Sequence, residues 1–360
     1  MKNMRKIDDI VQRYKTFYSS DQGALMVLTD VAAGAEDLPE DIPLNRLDWK
    51  DEAAIRRYAR SHLNRIRESW KRQPFLDDDR ILSFQNLAGT GAIAAAFVKD
   101  PVVHHEEDTN YLEPPIKDWN DGVDRIGFDP RNLYYQAQMV MLRTYIEDWD
   151  GNYGILPFTH FDPFDLANQF RGNSIFYDLQ DEAENLHALL RRNTTCILQL
   201  EQHMRENYIR GYDLEGICLG LWCPAGNYLS CDIGDMVSRS ALEEFGRPYF
   251  DSIVSEWGGA FLHHHELGLH QIDVWSESPK LSVQFLNRDP NTKHLAQARI
   301  IDEAIIASTF RVPIAFIADY DEFMTGADSW SKGKFVVHVI CESPEQARMA
   351  VRKARSLRGF

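Results

Sequence analysis

The sequence predicts an α/β fold, a single (β/α)8 TIM barrel over residues 1–360 with an N-terminal helix and an inserted extended segment near 101–115. Three observations predict it. Short apolar runs of strand length alternate with longer stretches of helical periodicity from end to end, the pattern of βα units on a parallel sheet. Eight such runs occur: Ala24–Asp30, Ile81–Asn86, Gly154–His160, Gly216–Cys223, Gly259–Glu266, Leu281–Asn287, Pro313–Asp319 and Lys334–Ile340. No repeat, low-complexity tract or Gly/Ser or Pro linker divides the chain, and 44% hydrophobic residues suffice for one large core.

Taken in order, Asp8–Tyr18 reads as a helix before the first strand, and Asp51–Trp70 as a basic amphipathic helix after it. The second strand leads to Gly89-Thr90-Gly91, which lacks the rest of a dinucleotide fingerprint, so a doubly wound open sheet is only the runner-up. Pro101–Pro115, with Val-Val-His-His-Glu-Glu, Tyr111 and two closing prolines, is an extended excursion placed to cover the barrel mouth. Asp181–Tyr208 carries Leu186, Leu189, Leu190, Ile197, Leu198 and Leu200 at helical spacing, and Ser240–Trp257 and Ser343–Leu357 are similar.

Composition narrows the function classes. A net charge of −16 opposes binding to nucleic acid or an anionic membrane, so a small-molecule or protein partner is expected. No run approaches about 18 apolar residues and the start has no signal-peptide pattern, which predicts a cytoplasmic protein. Cys196, Cys218, Cys223, Cys231 and Cys341 are odd in number and widely spaced, as reduced thiols are.

A barrel carries its chemistry where strands end. Gly259–His270 is the most telling such end, an apolar strand opening into His263-His264-His265-Glu266. Alternation puts His263 and His265 on one face, His264 and Glu266 on the other. His-x-His on a strand suits a metal, and imidazole also serves as acid or base. The other ends supply Asp30, Gln85, Asn86, His160 with Asp162, Trp222, Ser230 and Asp232, Asn287, Asp319, and His338 with Cys341. Asp162 precedes Pro163 and suits a helix N-cap at least as well as a substrate contact.

Several stretches together resemble the uroporphyrinogen decarboxylase superfamily, which includes cobalamin- and corrinoid-dependent methyltransferases. They are Leu156-Pro-Phe-Thr-His-Phe-Asp-Pro-Phe with Gln169-Phe-Arg-Gly, Ser230-Cys-Asp-Ile-Gly-Asp-Met with Ser240-Ala-Leu-Glu-Glu-Phe and Arg247-Pro-Tyr, and Phe261-Leu-His-His-His. The resemblance runs from about Gly154 to the C-terminus and implies one uroporphyrinogen decarboxylase-like TIM-barrel domain. The decarboxylase's Arg-rich Met-Arg-Gln-Ala-Gly-Arg motif is missing, and Arg171 is the one candidate cation, so an octacarboxylic substrate is not expected.

The methyltransferase branch holds zinc with a His-x-Cys pair on the fifth strand and a Cys beyond the eighth. The matching positions here are His263, His265 and Cys341, with His in place of the first Cys; Glu266 or Asp319 would complete the shell. The leading expectation is metal-assisted methyl transfer from a methyl-corrinoid, carried by a corrinoid protein, to a thiol or similar acceptor. Asp232, His160, Asp30 and His338 are the candidate catalytic groups, with Gln85, Asn86, Asp162, Trp222, Ser230, Asn287 and Asp319 as candidate substrate contacts. One alternative is a metal-independent decarboxylase, a lyase acting on a carboxylated small molecule such as a tetrapyrrole. The other is a non-catalytic ligand-binding barrel.

Overall fold

A computed structural model describes residues 7–31, 38–73, 76–86, 88–120, 122–210, 216–224, 227–288 and 302–358. The strands are β1 (Ala24–Val31), β2 (Ser83–Gln85), β3 (Val103–His105), β4 (Asn110–Leu112), β5 (Gly154–Leu156), β6 (His160–Phe161), β7 (Ile217–Cys218), β8 (Leu221–Trp222), β9 (Tyr228–Ser230), β10 (Ala260–His265), β11 (Leu281–Asn287), β12 (Ile314–Asp319) and β13 (Lys334–Cys341). Seven of them form a parallel sheet in the order β1-β13-β12-β11-β10-β9-β6, and β2 pairs in parallel with β5. Pro157, which has no N–H to offer a ladder, stands between β5 and β6 and splits the predicted third strand.

The sheet curves strongly. Ala24, Met26 and Leu28 of β1 share one buried cluster with Tyr228 of β9, Phe261 of β10, Phe285 of β11, Ala315 of β12 and Val336 of β13. Alternate residues Leu25, Val27, Phe316, Val337 and Val339 face the other way, into a second cluster with the helices Tyr320–Trp330 and Pro344–Ser356. Tyr14 and Phe17 of the N-terminal helix Ile7–Ser19 join the inner cluster, so the expected first helix packs against the interior.

Two points differ from expectation. The expected barrel is met in part, by a mostly parallel central sheet with helices, and among the described residues no ladder joins β1 to β2 to close it by strand hydrogen bonds. Side chains take its place: Val27 N–H donates to Asp79 Oδ2 (2.8 Å), Thr29 N–H to Asp78 Oδ2 (3.0 Å) and Val31 N–H to Gln73 Oε1 (3.0 Å). Asp79 is fully buried and is paired with Arg13 at 3.0 Å and with Arg358. The second correction concerns Gly216–Cys223, which is a small antiparallel hairpin of β7 and β8, while Tyr228–Ser230 is the strand that joins the sheet. Its turn residues Leu219 (φ 48°) and Gly220 (φ 84°) both take positive φ, which reverses the chain and breaks an extended run.

The excursion predicted near 101–115 contains the antiparallel hairpin β3–β4. All five cysteines are buried and free of disulfides. Among the described residues no helix is long and apolar enough to cross a membrane.

Candidate functional site

A cavity of about 1020 Å³ opens at the C-terminal ends of the strands. Asp30, Gln85, His263, Asn287 and His338 line it, joined by Tyr58, His62 and Arg65 from the helix Glu52–Arg72 and by Glu107–Thr109 at the tip of the β3–β4 hairpin. The hairpin thus reaches the mouth it was expected to cover.

From one wall, β10 presents His263 to this cavity, with His265 on the same face of the strand, as alternation requires, and the segment after β9 brings Asp232 to meet the two histidines. Asp232 Oδ1 lies 3.6 Å from His263 Nε2 and 3.5 Å from His265 Nε2, and the two Nε2 atoms are 3.4 Å apart. Three donors about 2.0–2.1 Å from one tetrahedral ion stand roughly 3.3 Å from each other, so this triangle has nearly the size of a zinc face. One carboxylate and two imidazoles are also a donor set that zinc accepts.

The backing of that wall is fully buried. His264, on the opposite face of β10, lies 3.2 Å from Gln284 Oε1, and burial followed by the neighbouring histidines pushes its pKa down to about 3, leaving a neutral ring. Asp162 caps the helix Pro163–Arg171 by accepting from Asp165 N–H at 2.7 Å, and burial raises its carboxyl to about 7. Asp165, one turn on, accepts from Ser230 Oγ (3.1 Å) and from the backbone N–H groups of Asp232 (2.8 Å) and Ile233 (2.8 Å). Burial, with Asp232 and Asp162 nearby, holds its carboxyl well above the usual range.

The Asp232 loop is also clamped to the loop after β10. Gln271 Nε2 donates to Asp235 Oδ1 at 2.6 Å, and His270 Nε2 lies 2.9 Å from the Val237 carbonyl. Gly234 permits this closeness, because a Cβ there would stand 2.0 Å from Gln271 Oε1.

On the opposite side of the sheet order, where β1 pairs with β13, Asp30 is hydrogen-bonded to His338 Nε2 and ion-paired to Arg80, whose Nη2 lies 2.9 Å from His338 Nε2. Burial alone would raise the Asp30 carboxyl, but the hydrogen bond and charge of His338, with Arg80, hold it well below the usual range. Sequence reasoning missed Arg80, which enters from the segment before β2 and whose only signal was a lone cation closing the run Asp77-Asp78-Asp79.

Other expected site residues lie elsewhere. His160 is buried 3.0 Å from Glu201 Oε2, and the His160 hydrogen bond and charge, with Arg205, lower the Glu201 pKa against its burial. Asn86 is fully buried and donates to the carbonyls of Gln138 (3.1 Å) and Pro157 (2.8 Å). Trp222 packs edge-on against Tyr18. Ser230 stands behind the site, 2.9 Å from Asp232 Oδ1, and Asp319 pairs with Arg288 at 2.8 Å. Arg171, the one possible exception to the shortage of pocket cations, is instead buried in an ion pair with Asp178 at 2.6 Å. Cys341 lies in the outer cluster with Val339 and Val351, and burial raises its thiol to about 11. It is not among the residues that converge with His263 and His265, whereas Asp232 is.

No family model and no curated protein matches the chain. Its fold is similar to that of a methyltransferase from Methanosarcina mazei, with a TM-score of 0.55 and 11% sequence identity over 96% of this chain and 98% of that one. At that identity the likeness shows the fold alone.

Proposed function

We propose that this chain is a (β/α)8-barrel methyltransferase, one domain over its 360 residues, that uses a zinc ion held by Asp232, His263 and His265. The observation that carries the reading is the triangle of donor atoms, 3.4 to 3.6 Å on a side, at the end of β10. The fold similarity to a methyltransferase adds support. In this reading Asp232 occupies the place that the resemblance gave to Cys341.

Zinc bound there would lower the pKa of a coordinated thiol or water, making an acceptor nucleophilic near neutral pH. The chain's own residues do the rest. His338, hydrogen-bonded through Nε2 to Asp30, is placed to take up a proton shed inside the cavity, and the Asp30 carboxylate steadies the resulting imidazolium. Tyr228 and Phe285 of the inner cluster provide an apolar floor that limits water around the acceptor. The methyl donor in this proposal is a methyl-corrinoid presented by a partner protein at the open strand ends.

The test is metal content and turnover in the untagged protein. About one zinc per chain that is lost in His263→Ala and in Asp232→Ala but kept in Cys341→Ala supports the assignment. Zinc-dependent methyl transfer from methylcobalamin to a thiol then supports the activity. Loss of zinc in His263→Ala and Cys341→Ala, with zinc kept in Asp232→Ala, would restore the ligand set implied by the resemblance. A second reading draws on Arg80 and Arg65, cations that line the cavity. They favour a decarboxylase for a carboxylated small molecule, and that activity would survive chelation.

A further inference from the structure

We propose that Asp165 is the positioning residue that fixes Asp232 for ion binding, acting from the first turn of a buried helix. The consequence for metal affinity rests on the zinc reading above; the consequence for the loop does not. Asp232 is itself about half exposed, with side-chain accessibility of 48%, and is the most exposed member of the triangle. Asp232 opens the short 3-10 turn Asp232–Met236, whose first N–H groups have no partner within the turn, and a half-exposed carboxylate there keeps its rotational freedom unless something holds its backbone.

Asp165 supplies that hold. Its Oδ2 accepts the Asp232 N–H at 2.8 Å, its Oδ1 accepts the Ile233 N–H at 2.8 Å, and Ser230 Oγ, 3.1 Å from Oδ2, stands 2.9 Å from Asp232 Oδ1. One carboxylate therefore grips two consecutive amides of the loop and touches the ligand oxygen through a single hydroxyl. The gripping element is firm, because Asp165 N–H donates to the Asp162 cap and Phe164, Leu166, Ala167 and Phe170 of the same helix are buried. Burying a carboxylate with a second acid beside it is unfavourable, and helix packing alone gives no reason to keep one. Orienting a ligand from behind gives such a reason, and outer partners of this kind tune metal affinity.

The test uses the full chain with Asp165→Asn, Ser230→Ala and Asp232→Ala. In zinc-free protein, amide hydrogen exchange at Asp232 and Ile233 should rise by roughly tenfold or more in Asp165→Asn, while the Leu262 and His263 amides keep their rates. Titration with zinc against a competing chelator should show affinity weakened about 10–100-fold in Asp165→Asn, weakened less in Ser230→Ala, and lost in Asp232→Ala. Unchanged exchange at Asp232 and Ile233 overturns the proposal. So does a zinc affinity in Asp165→Asn within about threefold of wild type where Asp232→Ala loses zinc. If wild-type zinc binding does not depend on Asp232, the zinc reading falls and the exchange rates decide the positioning claim alone. If Asp165→Asn fails to fold, the milder Ser230→Ala takes its place, and an unaltered zinc affinity there counts against the proposal.

Discussion

The two sides of the curved sheet hold their acids in opposite ways. Along β1, two acids have cations, Asp30 with Arg80 and His338 and Asp79 with Arg13 and Arg358, while Asp78 accepts from the Thr29 N–H and hydroxyl. At the end of β10, Asp232 faces two imidazoles, and the groups buried behind it are shifted toward their neutral forms, His264 by a lowered pKa and Asp162 by a raised one. A buried charge must be paired where it stands. The β1 side meets that requirement within the chain, so its charges hold the sheet; the β10 side gathers donors on a neutral backing, an arrangement suited to receiving a cation.

The largest expected effect tests the holding role. Asp79→Ala leaves two arginines and the Val27 N–H without their buried partner, and should cost about 3–5 kcal/mol of unfolding free energy in urea. Asp232→Ala in zinc-free protein removes a half-exposed group and should cost under about 1 kcal/mol. Equal losses would erase the distinction between the two sides.

Zinc affinity sharpens the same comparison. His263→Ala should weaken it beyond the roughly 100-fold seen for loss of an outer partner, whereas His338→Ala should change it by less than about threefold. A fall in His338→Ala matching that in His263→Ala would mean that the saturated cluster also takes an ion.

The sequence revealed more of the frame than of the site. Runs such as Ala24–Asp30 and Lys334–Ile340 are apolar enough to announce buried parallel strands, and the two pair in parallel. Gly216–Cys223 is equally apolar, yet two adjacent positive-φ residues fold it back, and run composition does not encode that. Alternation placed His263 and His265 together. The same rule, counted from His338, puts Cys341 three residues on and so on the other face, where the structure has it. Asp165 and Arg80 act through neighbours distant in sequence, 68 residues for Ile233 and 258 for His338, so no local pattern marked them.

Titration separates the neutral backing from the charged side. The Asp162 carboxyl is raised from 3.8 to about 7, so its contribution to stability is full below pH 3.8 and is lost as pH rises through 7. His264 is lowered from 6.5 to about 3, so its contribution is full above pH 6.5 and is lost as pH falls toward 3. Each slope is at most about 1.4 kcal/mol per pH unit. Asp162→Asn keeps a capping oxygen and should flatten the loss between pH 4 and 7, and His264→Gln should flatten the acid-side loss. Urea midpoints across this range check both, and unaltered slopes would show that the backing is not neutral. Asp30, held below the usual carboxylate range, should instead lose its contribution as pH falls through the acid region below that range.

The most local effect comes from a single added methyl group. Gly234→Ala drives a Cβ to 2.0 Å from Gln271 Oε1, and Gln271 is also the donor to Asp235 and the acceptor from Trp275 Nε1 at 3.0 Å. The glutamine cannot retreat without giving up one of those bonds, so the variant should lose about 1–3 kcal/mol. If the clamp between the two loops also sets the Asp232–His265 distance, zinc affinity should fall with stability. A stability loss with zinc affinity unchanged would show instead that Asp165 alone holds the ligand, and that the loop clamp serves only the fold.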